Sequence, residues 1–504
     1  LSLDVLSPDE AFALFAGVIG ADRAQADPAA TADVLRLCGY LPLAIRIAAA
    51  RLRTRSTWPV RTLADRLAES WRDELTVGDR SVTAALDLSY ARLGDDERRL
   101  FSLLGRHPGV SFESCQVAAL GGIGRPDAER LLDELVDTHL LQVAPTPGRY
   151  RFHDLVRQYA RTATEVEEPV WRMAIGRLLD FYLELALRMA AHLNPDSRHT
   201  PTEPAPWPLP DVSDADRAIG WCETELDNLL AAVGYAATEG WGRHAWQLAC
   251  ALPWFFRRRG HTTDWITCLR IGADAADDDN DRANVLRELG IACYHGARFT
   301  EAVDVTEHAL VLYRGTGDEP GEAAALNNLG NMYDQFDEVD KAVGYYRQAL
   351  ALRRRVHDLR GAAMSLMNLC RTFARIDSFA ESLECGQHAL DMYREVGDRR
   401  GESMTLNNLA TLYFRMARLA EAQACGEQAV ALNRAMLDRR NEASALDTLG
   451  LVHRQLGNYA TAVDHHNQAL ALVREVGNHS IEAEIQANIE DAVRAAADAG
   501  KPLT

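Results

Sequence analysis

No stretch of about 18 consecutive apolar residues, the length a membrane-spanning helix needs, occurs in this 504-residue chain. The richest apolar segment, Leu41–Ala50, is broken by Arg46 and reads as a buried helix. The N-terminus lacks the basic-then-apolar order of a secretory signal. The nine cysteines form no C-x-x-C pair and are odd in number. Neither a disulfide framework nor a cysteine zinc site is expected, and a reducing cytoplasm is. Basic charge is in deficit, with 54 Lys and Arg against 73 Asp and Glu and a net charge of −19. Nucleic-acid affinity rests on neutralised phosphates, so the chain as a whole is a poor candidate for it. Also missing are H-E-x-x-H, G-x-S-x-G and G-x-x-x-x-G-K-[ST], the signatures of zinc hydrolysis, of a serine nucleophile and of a phosphate cradle. His465 and His466 are adjacent and point about 100° apart on a helix, a poor metal pair. The acidic run Asp277–Asp281 lacks the glycine and terminal glutamate of a calcium loop. No catalytic residue, no metal site and no enzymatic activity are expected.

What the chain does have is a repeat. Gly321, Gly361 and Gly401 recur every 40 residues, with Asn441 next in register. Leu289, Leu329, Leu369, Leu409 and Leu449 keep the same step, as do Ala309, Ala349, Ala389, Ala429 and Ala469. Each unit holds two helical patterns. Leu326, Leu329 and Tyr333 share one face of the first; Ala342, Tyr346, Ala349 and Leu350 share one of the second. Small residues in the second helix allow close approach. One such hairpin cannot bury its apolar face alone, whereas stacked hairpins share a continuous core. Five units are legible between about Asp279 and Val476.

The pattern resembles the tetratricopeptide family, whose L-G-x-x-Y…A…A signature is matched by Leu329, Gly330, Tyr333, Ala342 and Ala349. The resemblance implies a superhelix whose first helices line a groove for a protein or extended peptide. On that correspondence Asn327, Asn331, Arg371, Arg375, Asn407 and Arg415 face the groove. Asparagine can serve an extended backbone and arginine a carboxylate, which suits a peptide of some acidic character. Asn328, Asn368 and Asn408 form a neighbouring column that would equally tie adjacent helices together. The plain alternative for each polar residue is a solvated helix face.

The N-terminal third reads differently. Residues 1–80 form a helical module, with Ser7-Pro8 opening a helix. Residues 81–163 run through helices to a hairpin at 140–152, an order that looks like a winged helix. Its groove-entering helix, about Pro126–Thr138, carries Asp127, Glu129, Asp133, Glu134 and Asp137 against Arg130. Phosphates would be repelled there, so no direct nucleic-acid binding is expected. Residues 164–213 read as a helix and a proline-rich linker, 214–278 as degenerate helical repeats, and 279–500 as the array. The expected fold class is mainly α, a helical module and winged helix followed by a tetratricopeptide-repeat superhelix.

Cys38-Gly39-Tyr40-Leu41-Pro42-Leu43-Ala44, then Ser89-Tyr90 with Leu93, and Phe152-His153-Asp154 resemble the NB-ARC type of signal-transducing ATPase. The closest match is the bacterial antibiotic-regulatory-protein (SARP) type, which adds tetratricopeptide repeats. The resemblance implies that Pro42 packs by an adenine and that His153 contacts a nucleotide diphosphate. Tyr40 departs from the motif glycine, and Phe152 from its methionine. With the P-loop absent, this chain alone would hold no cofactor. ADP or ATP would belong to the intact parent protein, whose nucleotide-binding domain would be a partner and would precede Leu1. The function implied is the partner-sensing, regulatory half of a transcription-controlling ATPase. The alternatives are a standalone repeat scaffold and a winged-helix DNA-binding activator.

Overall fold

The computed structural model describes residues 6–74, 76–77, 80–81, 86–87, 89–163, 166–193, 206–476 and 481–501. Most of the segment read as a proline-rich linker, 194–205, lies outside them. The chain divides into two compact units, Leu1–Asp277 and Asp278–Thr504.

The first unit opens with α1 (Pro8–Ile19), α2 (Ala21–Gln25), α3 (Pro28–Leu37), α4 (Pro42–Thr54) and α5 (Val60–Glu74). Ser7 caps α1 in a reciprocal capping box with Glu10, and Asp27 caps α3 through the Ala30 N–H. Each side-chain cap satisfies a donor that the first helical turn leaves unpaired, worth about 1 kcal/mol. A two-stranded hairpin, β1 (Thr76–Val77) and β2 (Arg80–Ser81), follows.

The winged-helix reading corresponds to α6 (Asp95–Leu104), β3 (Ser111–Glu113), α7 (Ser114–Gly121), α8 (Arg125–Asp137), β4 (Gln142–Val143), β5 (Arg149–Arg151) and α9 (Asp154–Ala163). The sheet order is β3-β5-β4, all antiparallel, with Phe112 opposite Tyr150 and Val143 opposite the same residue. Sequence reading found the β4–β5 hairpin and missed β3. Three residues carry too short an alternation to stand out from a helix approach. Phe101, Phe112 and Phe152 meet edge to face beneath this sheet, with ring centroids 5.6 and 5.9 Å apart.

The helices that follow in this unit are α10 (Glu168–Leu193), α11 (Ala215–Thr238), α12 (Gly242–Ala251), α13 (Pro253–Arg259) and α14 (Thr262–Ala275). Leu178, Leu179, Phe181 and Leu185 are fully buried on α10, so it belongs to the core and not to a linker. The degenerate segment is organised around the buried Trp265, Phe255 and Phe256. Trp221, Trp246 and Trp254 of the same segment stay half-exposed.

The second unit alternates first helices, α15 (Asp279–His295), α17 (Glu319–Gln335), α19 (Leu359–Arg375), α21 (Arg399–Arg415) and α23 (Arg439–Gln455), with second helices. The latter are α16 (Phe299–Thr316), α18 (Val339–Arg355), α20 (Phe379–Glu395), α22 (Leu419–Met436) and α24 (Tyr459–Val476). A last helix, α25 (Glu482–Asp498), covers the end with Ile485, Ala492 and Ala496 buried. The column Leu289, Leu329, Leu369, Leu409, Leu449 is buried throughout, each residue no more than 3% exposed. Each such leucine contributes roughly 1.5–3 kcal/mol of transfer free energy.

The spacing of the repeat has a local cause. Asp318, Asp358, Asp398 and Asp438 cap the first helices through the N–H groups of Gly321, Gly361, Gly401 and Asn441 at 2.9–3.2 Å. At Gly321 and Gly401 a Cβ would stand 2.3 Å from the rings of Tyr313 and Tyr393. Where the fourth unit has Asn433 in place of that tyrosine, the glycine is replaced by Asn441. A second exchange lies inside the hairpins. Gly290, Gly330 and Gly450 leave room for Thr306, Tyr346 and His466, whereas Cys370 faces Gly386. The larger side chain thus sits on one helix or the other, and a glycine opposite makes room for it.

Candidate functional site

The first helices carry a stripe at positions spaced four, three, four and four, which is one helical face. On α19 it reads Arg360, Met364, Met367, Arg371, Arg375, and on α21 Arg400, Met404, Asn407, Thr411, Arg415. The outer arginines are engaged within the array. Arg360 binds Asp398 at 2.6 Å and Arg400 approaches Asp438 at 3.4 Å. Arg375 binds Asp337 at 2.5 Å and Asp334 at 3.1 Å, and Arg415 binds Asp377 at 2.5 Å while lying over the Phe379 ring. Each reaches back to the turn of the preceding unit, where Asp337 and Asp377 adopt positive φ. These arginines tie successive units together, so an incoming carboxylate would compete with a partner already in place.

Asn327 was expected to face the groove and does not. It is 3% exposed, and its Oδ1 accepts from Asn368 Nδ2 at 3.2 Å beside the buried Arg353. A buried guanidinium needs acceptors, and Arg353 finds them in Gly361 O at 2.6 Å and Ser365 Oγ at 2.9 Å. Asn327 completes that polar interior. Asn331 is half-buried and accepts from Tyr346 Oη at 2.8 Å. Asn407 donates to Ser444 Oγ at 3.2 Å, and its Oδ1 is buried without a partner. Arg371 keeps the loosest tie of the predicted cations, 57% exposed and 3.9 Å from Asp334. Between the paired ends lie Met364 and Met404, 37% and 39% exposed in equivalent places on neighbouring helices. Sequence reading missed both. The signal was available, since they stand one 40-residue step apart and three residues before the column already chosen.

In the first unit the structure brings the two resemblance motifs together. Gly39 and Tyr40 both have positive φ, 59° and 56°, where the chain turns from α3 into α4. The His153 ring, at the start of α9, lies on Gly39. Its Nε2 meets the Gly39 carbonyl and its Nδ1 accepts from the Leu155 N–H at 3.4 Å. A Cβ at Gly39 would overlap the ring. Burial holds the imidazole pKa below its usual value, so the neutral ring is favoured. Both ring nitrogens are spent on backbone, an arrangement that does not present His153 to a diphosphate. Pro42 is the first residue of α4 and half-buried.

Tyr40 stands where the motif has glycine. A non-glycine residue in the left-handed region costs about 1–2 kcal/mol. Tyr40→Gly is expected to raise stability by roughly 0.5–1 kcal/mol, the strain relief being partly offset by a freer unfolded chain. Urea denaturation of the two proteins measures this; a Tyr40→Gly protein less stable than the parent refutes it.

A third feature joins the wing to α11. Glu225, 1% exposed, pairs with Arg149, 5% exposed, and accepts from Gln116 Nε2 at 2.6 Å and Asn228 Nδ2 at 2.7 Å. Arg149 also donates to Ser111 Oγ at 3.0 Å, and Asn228 to Ser111 O at 2.7 Å. Next to this network, burial pushes the His107 imidazole down to about 3. Sequence analysis missed the network because its members lie far apart in the chain.

Residues 281–355 and 361–435 match one tetratricopeptide-repeat family model, and 443–477 match a second. Regulatory protein AfsR of Streptomyces coelicolor is 34% identical over 399 residues, which is 69% of this chain and 40% of that protein. A putative HTH-type transcriptional regulator of Mycobacterium bovis is 30% identical over 279 residues, 51% of this chain and 28% of that protein. The chain thus spans less than half the length of these relatives. Among solved structures, a signal transduction ATPase with numerous domains from Pyrococcus horikoshii, bearing a tetratricopeptide repeat sensor, superposes with a TM-score of 0.56 at 16% identity. The superposition covers 99% of this chain and 67% of that one, a likeness of fold.

Proposed function

We propose that this relative of the AfsR regulatory proteins, built on tetratricopeptide repeats, is the partner-sensing and regulatory portion of a SARP-type signal-transducing ATPase that controls transcription. The observation that carries the reading is the stripe on the first helices. Its outer cations are consumed by contacts between units, and Met364, Met404 and Arg371 are left open at its centre. Methionine adapts to varied apolar partners, and a loosely held arginine offers a fork for a carboxylate. The occupant is a protein segment or extended peptide.

Catalysis is no part of this reading, because the sequence carries no P-loop to cradle and hydrolyse a triphosphate. ADP or ATP belongs to the intact parent protein, whose nucleotide-binding domain is the second partner of the chain. The winged-helix portion is structural. On α8, Glu129 and Glu134 are neutralised by Arg125 and Arg130 at 2.8 Å, while Asp127, Asp133 and Asp137 stay exposed and would repel a phosphate backbone. Among the described residues no helix is long and apolar enough to cross a membrane, and the cytoplasm is the compartment proposed.

Affinity capture tests the face. The parent chain and a Met364→Glu/Met404→Glu variant are used as baits in lysate of the source cell. Because both side chains are more than a third exposed, the substitutions leave the fold intact. Loss of the captured species by about tenfold or more is expected, as for hot-spot residues. Equal recovery by both baits rules the stripe out as the receiving surface.

A further inference from the structure

Between the end of α3 and the outer face of α9 lies a cavity of about 410 Å³ lined by Arg36, Pro108, Asp154, Arg157, Gln158 and Arg161. Neither Pro42 nor His153 lines it, and it belongs wholly to the first unit. We propose that this cavity is a binding site for a phosphate-type oxyanion, held by the guanidinium groups of Arg36, Arg157 and Arg161.

Three cations surround the space and Asp154 is the one acid in its lining, in a chain whose net charge is −19. The cations are poorly neutralised. Arg157 donates through Nη2 to the His107 carbonyl, and its Nε is buried with no hydrogen-bond partner. Arg161 donates through Nε to the Gly105 carbonyl at 2.8 Å. Arg36 reaches Asp33 at 3.4 Å with its side chain 62% exposed, a pair worth little in water. Among the described residues no carboxylate lies within ion-pair distance of Arg157 or Arg161.

Arg157 and Arg161 sit one turn apart on α9, so their charges repel. Burial, and then the Arg161 charge, hold the Arg157 pKa below its usual value. Arg106, across the α6 terminus, feels the same neighbour. The histidines nearby add no further positive charge, because burial favours the neutral rings of His107 and His153. An oxyanion entering the cavity relieves this repulsion and offers acceptors to donors that lack them. Guanidinium forks match tetrahedral oxyanions well, and charge-assisted bonds to them are the strong ones. The volume lies in the range of small-molecule pockets and exceeds what one phosphate fills. A diphosphate, or the phosphoryl end of a larger metabolite, fits the same chemistry.

Isothermal titration of the full chain at constant ionic strength, with inorganic phosphate, pyrophosphate, ADP and adenosine as separate ligands, tests the assignment. Saturable binding of pyrophosphate is expected, tighter than phosphate, with ADP no weaker than pyrophosphate and adenosine without effect. Arg36→Glu, a surface change that places an acid at the mouth, should weaken pyrophosphate by about tenfold or more. Asp154→Asn should tighten it by about threefold or more, a gain that misfolding cannot produce. Absence of binding by both inorganic anions, an Arg36→Glu protein that binds as the parent does, or adenosine binding as tightly as ADP each overturns the assignment.

Discussion

Replacing Glu225 by alanine lowers the stability of the first unit by about 3–5 kcal/mol, because it leaves a buried guanidinium without its counter-charge. Arg149 is buried, at 5% exposure. Its remaining contacts, Ser111 Oγ and Ser111 O at 3.0 and 3.1 Å, are neutral acceptors. Gln116 and Asn228 lose their shared acceptor at the same time. Removing both charges is a different matter. An Arg149→Leu/Glu225→Leu protein should recover at least half of the loss, since an apolar pair needs no solvation. Chemical denaturation followed by near-ultraviolet circular dichroism reads both. A Glu225→Ala protein within about 1 kcal/mol of the parent, the net worth of an ordinary hydrogen bond, refutes the buried pair. The network also states what the wing is for. It joins β3, β5 and α7 to α11, so the winged helix is held to the helices that follow it by charge as well as by apolar contact.

The second large effect lies inside one hairpin of the array. Tyr346 is fully buried over Gly330, and a Cβ on that glycine would stand 2.5 Å from the ring. Tyr346→Gly is expected to cost about 3–5 kcal/mol, the range for emptying a buried aromatic site. Gly330→Cys is expected to cost about 1–3 kcal/mol by overpacking. The double variant transplants the arrangement of the next unit, where Cys370 faces Gly386 and Leu409 fills the space above it. It should be more stable than the sum of the single losses predicts, with a coupling of at least about 1 kcal/mol. Thermal unfolding of all four proteins gives the coupling. Strict additivity would mean that the two positions do not share one volume, and the exchange of volume between paired helices would fall with it. Because repeat arrays are stabilised by nearest-neighbour contacts, the loss should spread to adjoining units.

Much of the array was legible from the chain alone. The 40-residue step, the leucine and alanine columns and the helical spacing within each unit are local or periodic facts, and the helix pairs follow them. Tyr40 and the motif segments around Gly39 and His153 were legible as a resemblance, and the fold sets them against each other. The polar positions were harder. Asn327 and Asn407 occupy equivalent places in the repeat, yet one is buried at 3% exposure and the other is half-exposed. The difference comes from the second helix of each unit: Arg353 lies beside Asn327 and draws it inward, whereas the unit of Asn407 has Asn433 at that place. Arg375 and Arg415 look open to a ligand in sequence, and acids 38 residues earlier occupy them.

The amino-acid sequence by itself determined the helical hairpins, their number, their register and the apolar ridges they share. Those properties depend on residues within one or two helical turns, repeated at a fixed interval. The tertiary structure alone decided which polar side chains are spent inside the molecule and which remain available. That choice depends on partners tens of residues away, as between Arg149 and Glu225 or Gly330 and Tyr346, and on the cost of burying a charge or a volume that has no complement.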